Sequence, residues 1–165
     1  MAIILEGFDN SGKSSLADRL GFPVLHAGGP PANDIELRAC LDKQLSDCKP
    51  GVTFDRVSCI SDQVYGGKMF HEMHKWYLKR MLDQPATIVI YCRPPDEFLK
   101  DFSGHIRKSH DSDQHIEDIE ANMALYIKRY DDLMITIPHV KYDYVINGTD
   151  PRFIRTIINS QVRYD

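Results

Sequence analysis

A glycine-rich segment near the amino terminus constrains the fold of this chain more than any other part of the sequence. Residues 7–14 read Gly-Phe-Asp-Asn-Ser-Gly-Lys-Ser and match the pattern Gly-x4-Gly-Lys-Ser/Thr in full. A continuous apolar run at 2–5 precedes them, and Leu16 and Leu20 follow at the spacing of one helical face. Between a buried strand and a helix, this pattern predicts a loop that binds a polyphosphate.

The residue types in this loop suit the chemistry of phosphate binding. Glycines allow backbone angles that turn successive N–H groups toward an anion, and the positive end of the following helix adds to the attraction. Lys13 brings a full positive charge, and the Ser14 hydroxyl can serve as a ligand of Mg²⁺. We therefore predict that the loop binds ATP together with Mg²⁺. The residues predicted to contact the nucleotide are Gly7, Asn10, Ser11, Gly12, Lys13, Ser14 and Ser15.

Length, composition and charge indicate an ordinary globular protein. The 165 residues suffice for one domain, and we predict a single domain over 1–165. With 20 basic and 24 acidic side chains, the net charge of −4 does not by itself indicate a surface for nucleic acid or membrane. No apolar run approaches the roughly 20 residues that span a bilayer, so we expect a cytoplasmic protein. The four cysteines have no metal-binding spacing and are expected to be reduced, packed thiols.

Strand-like and helix-like segments alternate along the chain. Short apolar runs are separated by segments whose apolar residues recur every three or four positions. This alternation is typical of α/β proteins with right-handed crossovers, and it predicts a sheet of five parallel strands with helices on both faces. The predicted strands are 2–5, 23–26, 51–56, 86–92 and 142–146. The predicted helices cover 16–20, 33–48, 70–81, 119–133 and 153–158.

A polar stretch at 100–114 follows the fourth predicted strand. If the bound ATP donates its terminal phosphoryl group, that group needs positive charge nearby, and residues 8–11 of the glycine-rich loop include no arginine. We therefore predict a mobile lid over 100–114, with Arg107 as its catalytic cation and with Arg93 and Lys108 as alternatives. A solvated surface loop is the competing interpretation of this stretch.

Several motifs resemble those of thymidylate kinases. Residues 6–15 resemble the EGxDGxGKST motif of that family, and Asp55-Arg56 at a predicted strand end resembles its DR motif. Tyr65-Gly66 lies about where the family has tyrosine, glutamine and glycine, and 142–147 looks like the last strand of nucleoside monophosphate kinases. The resemblance covers most of the chain as an order of motifs, and it implies the three-layer α/β fold of P-loop kinases.

The resemblance also implies roles on the acceptor side of the site. As in the family, Asp55 is expected near the metal-bound waters and Arg56 at the acceptor phosphate, whereas a strand-end ion pair is the purely structural alternative. Asp9 is expected to face the acceptor sugar, Tyr65 is expected to bind the acceptor, and 147–149 is expected to border the adenine. The predicted catalytic residues are thus Lys13, Asp55, Arg56 and Arg107, and the predicted metal ligands are Ser14 and Asp55.

Three functions are compatible with these motifs. The first is transfer of the γ-phosphoryl group of ATP to a deoxynucleotide, a thymidylate-like monophosphate. The second has a different acceptor: small kinases of some bacterial viruses look similar and phosphorylate 5-hydroxymethyluracil within DNA, where Asp55 would act as general base. The second remains open because the sequence is shorter than those of thymidylate kinases and its loop at 28–31 departs from their pattern, so that a base carried by a polymer could be admitted. The third is a module that binds ATP without turnover. The oligomeric state also stays open, a homodimer included.

Overall fold

A computed structural model describes residues 2–9, 11–28, 31–66, 72–84, 87–94, 113–148 and 150–162, with the backbone alone at 113–121 and 160–162. The strands are β1 (Ile3–Glu6), β2 (Val24–His26), β3 (Thr53–Asp55), β4 (Ile88–Cys92) and β5 (Val140–Tyr142). The described helices are α1 (Lys13–Leu20), α2 (Asp34–Asp47), α3 (Ser58–Tyr65), α4 (Glu72–Leu82), α5 (Asp113–Met134), α6 (Tyr144–Asn147) and α7 (Pro151–Val162).

The five strands of the described residues form one parallel sheet in the order β2-β3-β1-β4-β5, which confirms the predicted architecture. In the central strand, β1, Ile4 pairs with Phe54 of β3 on one side and with Val89 of β4 on the other. Because all strands run in the same direction, their carboxyl ends meet at one edge of the sheet. The strand order reverses at β1, and ligands of open α/β sheets bind in the crevice at such a point. The glycine-rich loop leaves β1 at this edge.

The sheet is buried on both faces, as its continuous apolar strands require. Successive strand residues point to opposite faces, so Ile3 and Ile4 belong to different cores. Ile4 and Val89 pack beneath α2, α3, α4 and α5. Ile3 and Ile90 pack on the other face beneath α1 and α7. Full burial of each such side chain contributes about 1.5–3 kcal/mol, and the two cores hold the glycine-rich loop at a fixed place between them.

The helix predicted over 33–48 is confirmed as α2. It begins after Asn33, whose Oδ1 accepts hydrogen bonds from the backbone N–H groups of Ile35 and Glu36, both at 3.0 Å. This cap satisfies two of the N–H groups that the first turn of a helix leaves free, and such a cap is typically worth about 1 kcal/mol.

The prediction of a last strand over 142–146 is wrong beyond Tyr142. β5 ends at Tyr142, and α6 follows after a single residue. Asp143 caps α6 because its Oδ1 accepts the N–H of Val145 at 2.8 Å, and Asn147 Oδ1 accepts the N–H of Asp143 at 2.9 Å. These local side-chain contacts outweigh the β propensity of Val145 and Ile146, and they turn the chain toward the glycine-rich loop.

Two further expectations concern membrane segments and thiols. None of the helices in the described part of the chain has the length and apolar character needed to span a bilayer. The four cysteines are free thiols; Cys48, Cys59 and Cys92 are buried, and Cys40 is partly exposed.

Candidate active site

The loop between β1 and α1 requires glycine at two positions. Gly7 has a φ of +148°, and a Cβ there would lie 2.0 Å from the carbonyl oxygen of Cys92 at the end of β4. Gly12 has a φ of +82°, and its Cβ would lie 3.0 Å from the Cβ of Tyr144 on α6. Glycine avoids both the strained backbone and the steric conflict. The loop is therefore confined between β4 and α6, which fixes Lys13 at the start of α1.

Lys13 is buried beneath the loop. Its Nζ donates hydrogen bonds to the carbonyl oxygens of Gly7 (3.0 Å) and Phe8 (2.8 Å) and to Ser11 Oγ (3.3 Å). Burial, reinforced by the nearby positive charge of Arg56, lowers the pKa of Lys13 to about 8, so the ammonium is mostly charged at neutral pH. These partners are neutral oxygens, and the positive charge of Lys13 therefore remains available to attract an anion into the loop.

An open cleft lies along the loop and the first turn of α1. Its volume is about 490 Å³, within the usual range for small-molecule sites. It extends from the glycine-rich loop to the segment after β5, and so brings together parts of the chain that are more than 120 residues apart. The lining residues are Ser11, Gly12, Lys13, Ser14, Ser15, Arg19, Tyr142, Tyr144 and Gly148.

Arg19 closes the far end of this cleft and was not among the predicted site residues. From the last turn of α1, its Nη1 donates a hydrogen bond to the carbonyl oxygen of Gly148 and lies 3.5 Å from that of Asn147. The turn predicted to border an adenine is thus fixed to the helix that follows the glycine-rich loop, although Thr149 lies outside the described residues. Arg19 and Gly148 are 129 positions apart in the sequence, so no local pattern predicts their contact.

Asp55 ends β3 at the same edge of the sheet. Its Oδ2 lies 3.2 Å from Nδ1 of His26 at the end of β2. Its Oδ1 is buried and has no hydrogen-bond partner among the described residues. An orphaned buried carboxylate oxygen is costly unless a cation or a donor completes it. Carboxylate and hydroxyl oxygens are the donors that Mg²⁺ prefers, so Asp55 and Ser14 fit the predicted ion.

Arg56 contacts both of the other predicted acceptor residues, Asp9 and Tyr65. Its Nη2 donates hydrogen bonds to Asp9 Oδ1 (2.5 Å), to the Tyr65 hydroxyl (3.0 Å) and to the carbonyl oxygen of Gly7 (3.2 Å). The guanidinium carbon also lies 5.0 Å from the centre of the Tyr65 ring, within the range of a cation–π contact. Gly7 also accepts a hydrogen bond from Lys13, so the two cations converge on one backbone oxygen.

Glu6 lies directly beside the candidate site and was not among the predicted site residues. Its side chain is fully buried at the end of β1, directly before the loop. Oε1 accepts the backbone N–H of Val57 at 2.7 Å, and Oε2 accepts the hydroxyl of Tyr130 on α5 at 3.1 Å. Burial raises the pKa of Glu6 to about 7, and the Val57 N–H and the charge of Arg56 limit the rise. The sequence did contain a signal for Glu6. It is an acidic residue at the end of an otherwise apolar strand, directly before the glycine-rich loop.

We expect Glu6→Gln to change how the free energy of unfolding depends on pH. Between pH 4.5 and pH 7 the folded wild type retains a proton on Glu6 that the unfolded chain has released. Wild-type stability therefore falls through this window relative to the variant, by about 3 kcal/mol in all. Urea unfolding at pH 5, 6, 7 and 8 measures the difference.

A matched control for this titration is Glu72→Gln on α4, because that carboxylate is 86% exposed and pairs with Lys75 three residues away. Its stability difference from wild type should vary little with pH. Parallel curves for wild type and Glu6→Gln would contradict the expectation.

Several predicted residues lie outside the part of the chain that the structure describes. They include Asn10 of the loop, Arg107 and Lys108, and residues 100–112 of the predicted lid. The last two lid positions, 113 and 114, belong to the first turn of α5. Arg93, an alternative lid cation, has its Nε 3.3 Å from Oδ1 of Asp131 on α5.

Comparison with known proteins identifies the architecture. No protein-family model matches the sequence, and a search of curated proteins finds no match. YorR protein from Bacillus subtilis, solved in complex with phosphorylated GDP, is similar with a TM-score of 0.71 and 17% identity, over 100% of this chain and 99% of that one. Deoxyadenosine kinase from M. mycoides with bound dATP has a TM-score of 0.55 and 19% identity, over 99% and 100%. Polyphosphate Kinase 2 from Arthrobacter aurescens TC1 has a TM-score of 0.54 and 14% identity, over 98% and 66%.

These similarities define the class of the fold. The parallel sheet in the order β2-β3-β1-β4-β5, with a glycine-rich loop after its central strand, is the P-loop kinase fold. At identities of 14–19%, the three structures share this architecture with the chain. The fold implied by the motif order is thereby confirmed.

Proposed function

We propose that the protein is an ATP- and Mg²⁺-dependent kinase that transfers the γ-phosphoryl group to a deoxynucleotide, a thymidylate-like monophosphate. One observation carries the proposal: Lys13 from the donor loop and Arg56 from the end of β3 both donate to the carbonyl oxygen of Gly7. A phosphoryl group moving between donor and acceptor carries negative charge throughout, and two cations on one backbone atom are placed to stabilise it.

The chain's own residues would position the two substrates. Backbone N–H groups of the loop and Lys13 would hold the phosphates of ATP, and Arg56 would hold the acceptor phosphate. An acceptor oxygen then attacks the γ-phosphorus, the bond from that phosphorus to the β–γ bridging oxygen breaks, and ADP leaves. When bound, Mg²⁺ would be held by Ser14 and Asp55 and would neutralise phosphate charge.

The similar structures support a nucleotide as the ligand. YorR was solved with phosphorylated GDP and the deoxyadenosine kinase with dATP. The cleft of about 490 Å³, which runs from Lys13 to Gly148, is large enough for a nucleotide. Gly148, which contacts Arg19 at the far end of the cleft, would then lie beside the base.

A second acceptor, the 5-hydroxymethyl group of hydroxymethyluracil in DNA, is supported by a specific observation at Asp55. An alcohol, unlike a phosphate, must lose a proton as the new O–P bond forms. Asp55 Oδ1 has no hydrogen-bond partner among the described residues, and His26 orients the other oxygen of the same carboxylate. A free carboxylate oxygen of this kind would accept the proton.

Transfer of label from γ-³²P-ATP should distinguish these acceptors. We expect Mg²⁺-dependent labelling of a deoxynucleoside monophosphate in a panel that also contains nucleosides, unmodified DNA and hydroxymethyluracil DNA. Label only in the hydroxymethyluracil DNA would replace the first acceptor with the second. Tight ATP binding without transfer to any acceptor would refute both and would indicate a binding module.

A further inference from the structure

We propose that Glu6 is a positioning residue whose carboxylate fixes the backbone of Arg56 and so directs the Arg56 guanidinium toward the acceptor. The inference rests on the proposed function, because it takes Arg56 as the group that binds the acceptor. Glu6 would not touch either substrate. It would act through one hydrogen bond, accepted from the backbone N–H of Val57 in the turn after β3.

The backbone of Arg56 is in an unusual conformation. Its φ is +67°, and no other described non-glycine residue has a positive φ. A residue with a Cβ adopts the left-handed region only when surrounding contacts impose it, and such residues are common at functional sites. In this conformation the chain turns sharply between β3 and α3, and the side chain of Arg56 points back to the glycine-rich loop, where it contacts Gly7 and Asp9.

Two hydrogen bonds impose this conformation, one on each side of the Arg56 Cα. The N–H of Arg56 itself donates to the carbonyl oxygen of Leu5 at 2.9 Å. The next N–H, that of Val57, donates to Glu6 Oε1 at 2.7 Å. Leu5 and Glu6 are the last two residues of β1, so β1 holds the turn after β3 through consecutive contacts.

The Val57 N–H lies in the interior at the start of α3, where its partner among the described residues is Glu6. Val57 is the N-cap residue of α3, and this helix has no side-chain cap of its own. Val57 is also fully buried, so water cannot take the place of the carboxylate. Without Glu6 the N–H would be left unpaired in the interior, and the backbone would have to rotate to find a partner. Such a rotation is what would move the Arg56 side chain.

The other oxygen of Glu6 fixes the carboxylate in place. Oε2 accepts the hydroxyl of Tyr130, which is fully buried on α5. Tyr130 in turn packs edge-on against Tyr65, with the ring centres 5.9 Å apart, and Tyr65 accepts a hydrogen bond from Arg56. Arg56 is thus held at its backbone by Glu6 and at its guanidinium by Tyr65, and both supports rest on the same residue of α5.

Glu6→Met tests the role, with Glu6→Gln as its matched control. Methionine has a similar length and suits a buried site but accepts no strong hydrogen bond, whereas the glutamine oxygen can still accept the Val57 N–H. We expect Glu6→Met to raise the KM for the acceptor about tenfold or more while the Kd for ATP stays within about twofold of wild type. Glu6→Gln should keep both within about twofold.

A double-mutant cycle with Arg56→Ala asks whether Glu6 acts through Arg56. If it does, Glu6→Met should raise the acceptor KM less than about twofold further once Arg56 is already removed. Additive effects in the double variant would overturn the inference. It would also be overturned by equal losses of ATP and acceptor binding in Glu6→Met, or by a Glu6→Gln variant as impaired as Glu6→Met.

Hydrogen exchange at the Val57 amide separates failure of this inference from failure of the proposed function. The amide should exchange slowly in wild type and in Glu6→Gln and at least about tenfold faster in Glu6→Met. A wild type that transfers no phosphoryl group would refute the proposed function, and unchanged exchange in Glu6→Met would refute the role of Glu6. The exchange measurement needs no substrate, so it can also be made on a variant of low activity.

Discussion

Replacing Lys13 with methionine should lower kcat/KM for ATP by about 10³-fold. The ammonium lies beneath the glycine-rich loop with neutral oxygens of Gly7, Phe8 and Ser11 as its hydrogen-bond partners. Its charge would therefore act directly on the transferred phosphate, and removal of one such stabilising group typically costs a factor of about 10²–10³. Loss of ATP binding adds to that factor. Calorimetric titration with ATP and the labelled-phosphate assay measure the two effects.

The matched control is Lys43→Met on the exposed surface of α2. The ammonium of Lys43 pairs with Asp47 one turn away and lies in no part of the proposed site. This variant should bind ATP and transfer phosphate like the wild type, because an exposed i,i+4 pair contributes only about 0.3–0.5 kcal/mol. If Lys13→Met kept activity within about tenfold of wild type, the role given to the loop would be untenable.

The parts of the fold that were predictable have their signals close together in sequence. β1, the glycine-rich loop and α1 lie within residues 3–20, and the loop pattern carries the chemistry of the whole segment. α2 was equally readable, since Asn33 caps it. The helix α3 was not predicted, although Val57, Ile60 and Val64 repeat at helical spacing. Asp55-Arg56 was interpreted as the end of a strand, and the residues after it were assigned no element. The last strand was predicted to extend beyond Tyr142 because Val145 and Ile146 favour strands. The capping role of Asp143 was not considered in that prediction.

The parts of the site that were not predictable depend on contacts between distant residues. Lys13 could be assigned from the pattern, but its buried position depends on how the loop packs against the end of β4. The contact between Arg19 and the turn after α6 joins residues 129 positions apart. Glu6 and Val57 are 51 positions apart. The number of residues between two positions does not give their distance in space. The strand order brings these positions together, and it becomes evident only once the strands are paired.

Asp55→Asn should lower kcat by about 10²-fold or more and leave the Kd for ATP within about threefold of wild type. The substitution keeps the size and planarity of the side chain at the end of β3 and removes its charge. Oδ1 has no hydrogen-bond partner among the described residues, and under the proposed function this carboxylate acts on the metal-bound waters or on an acceptor proton. Either role acts during phosphoryl transfer rather than during ATP binding. The substitution should therefore lower kcat and leave the Kd for ATP nearly unchanged.

The same substitution at an exposed carboxylate provides the comparison. Asp132→Asn on α5 removes an acid that is 48% exposed and pairs with Lys128 one turn before it, away from the proposed site. Its kcat should match the wild type.

The acceptor distinguishes the two roles of Asp55. With a phosphate acceptor, raising the Mg²⁺ concentration should partly restore the kcat of Asp55→Asn, since weaker metal binding can be overcome by mass action. With an alcohol acceptor, added Mg²⁺ should leave the loss unchanged, because the missing group is then the base. A kcat equal to that of wild type would remove Asp55 from the reaction altogether, and the orphaned oxygen would be a structural feature of the strand end.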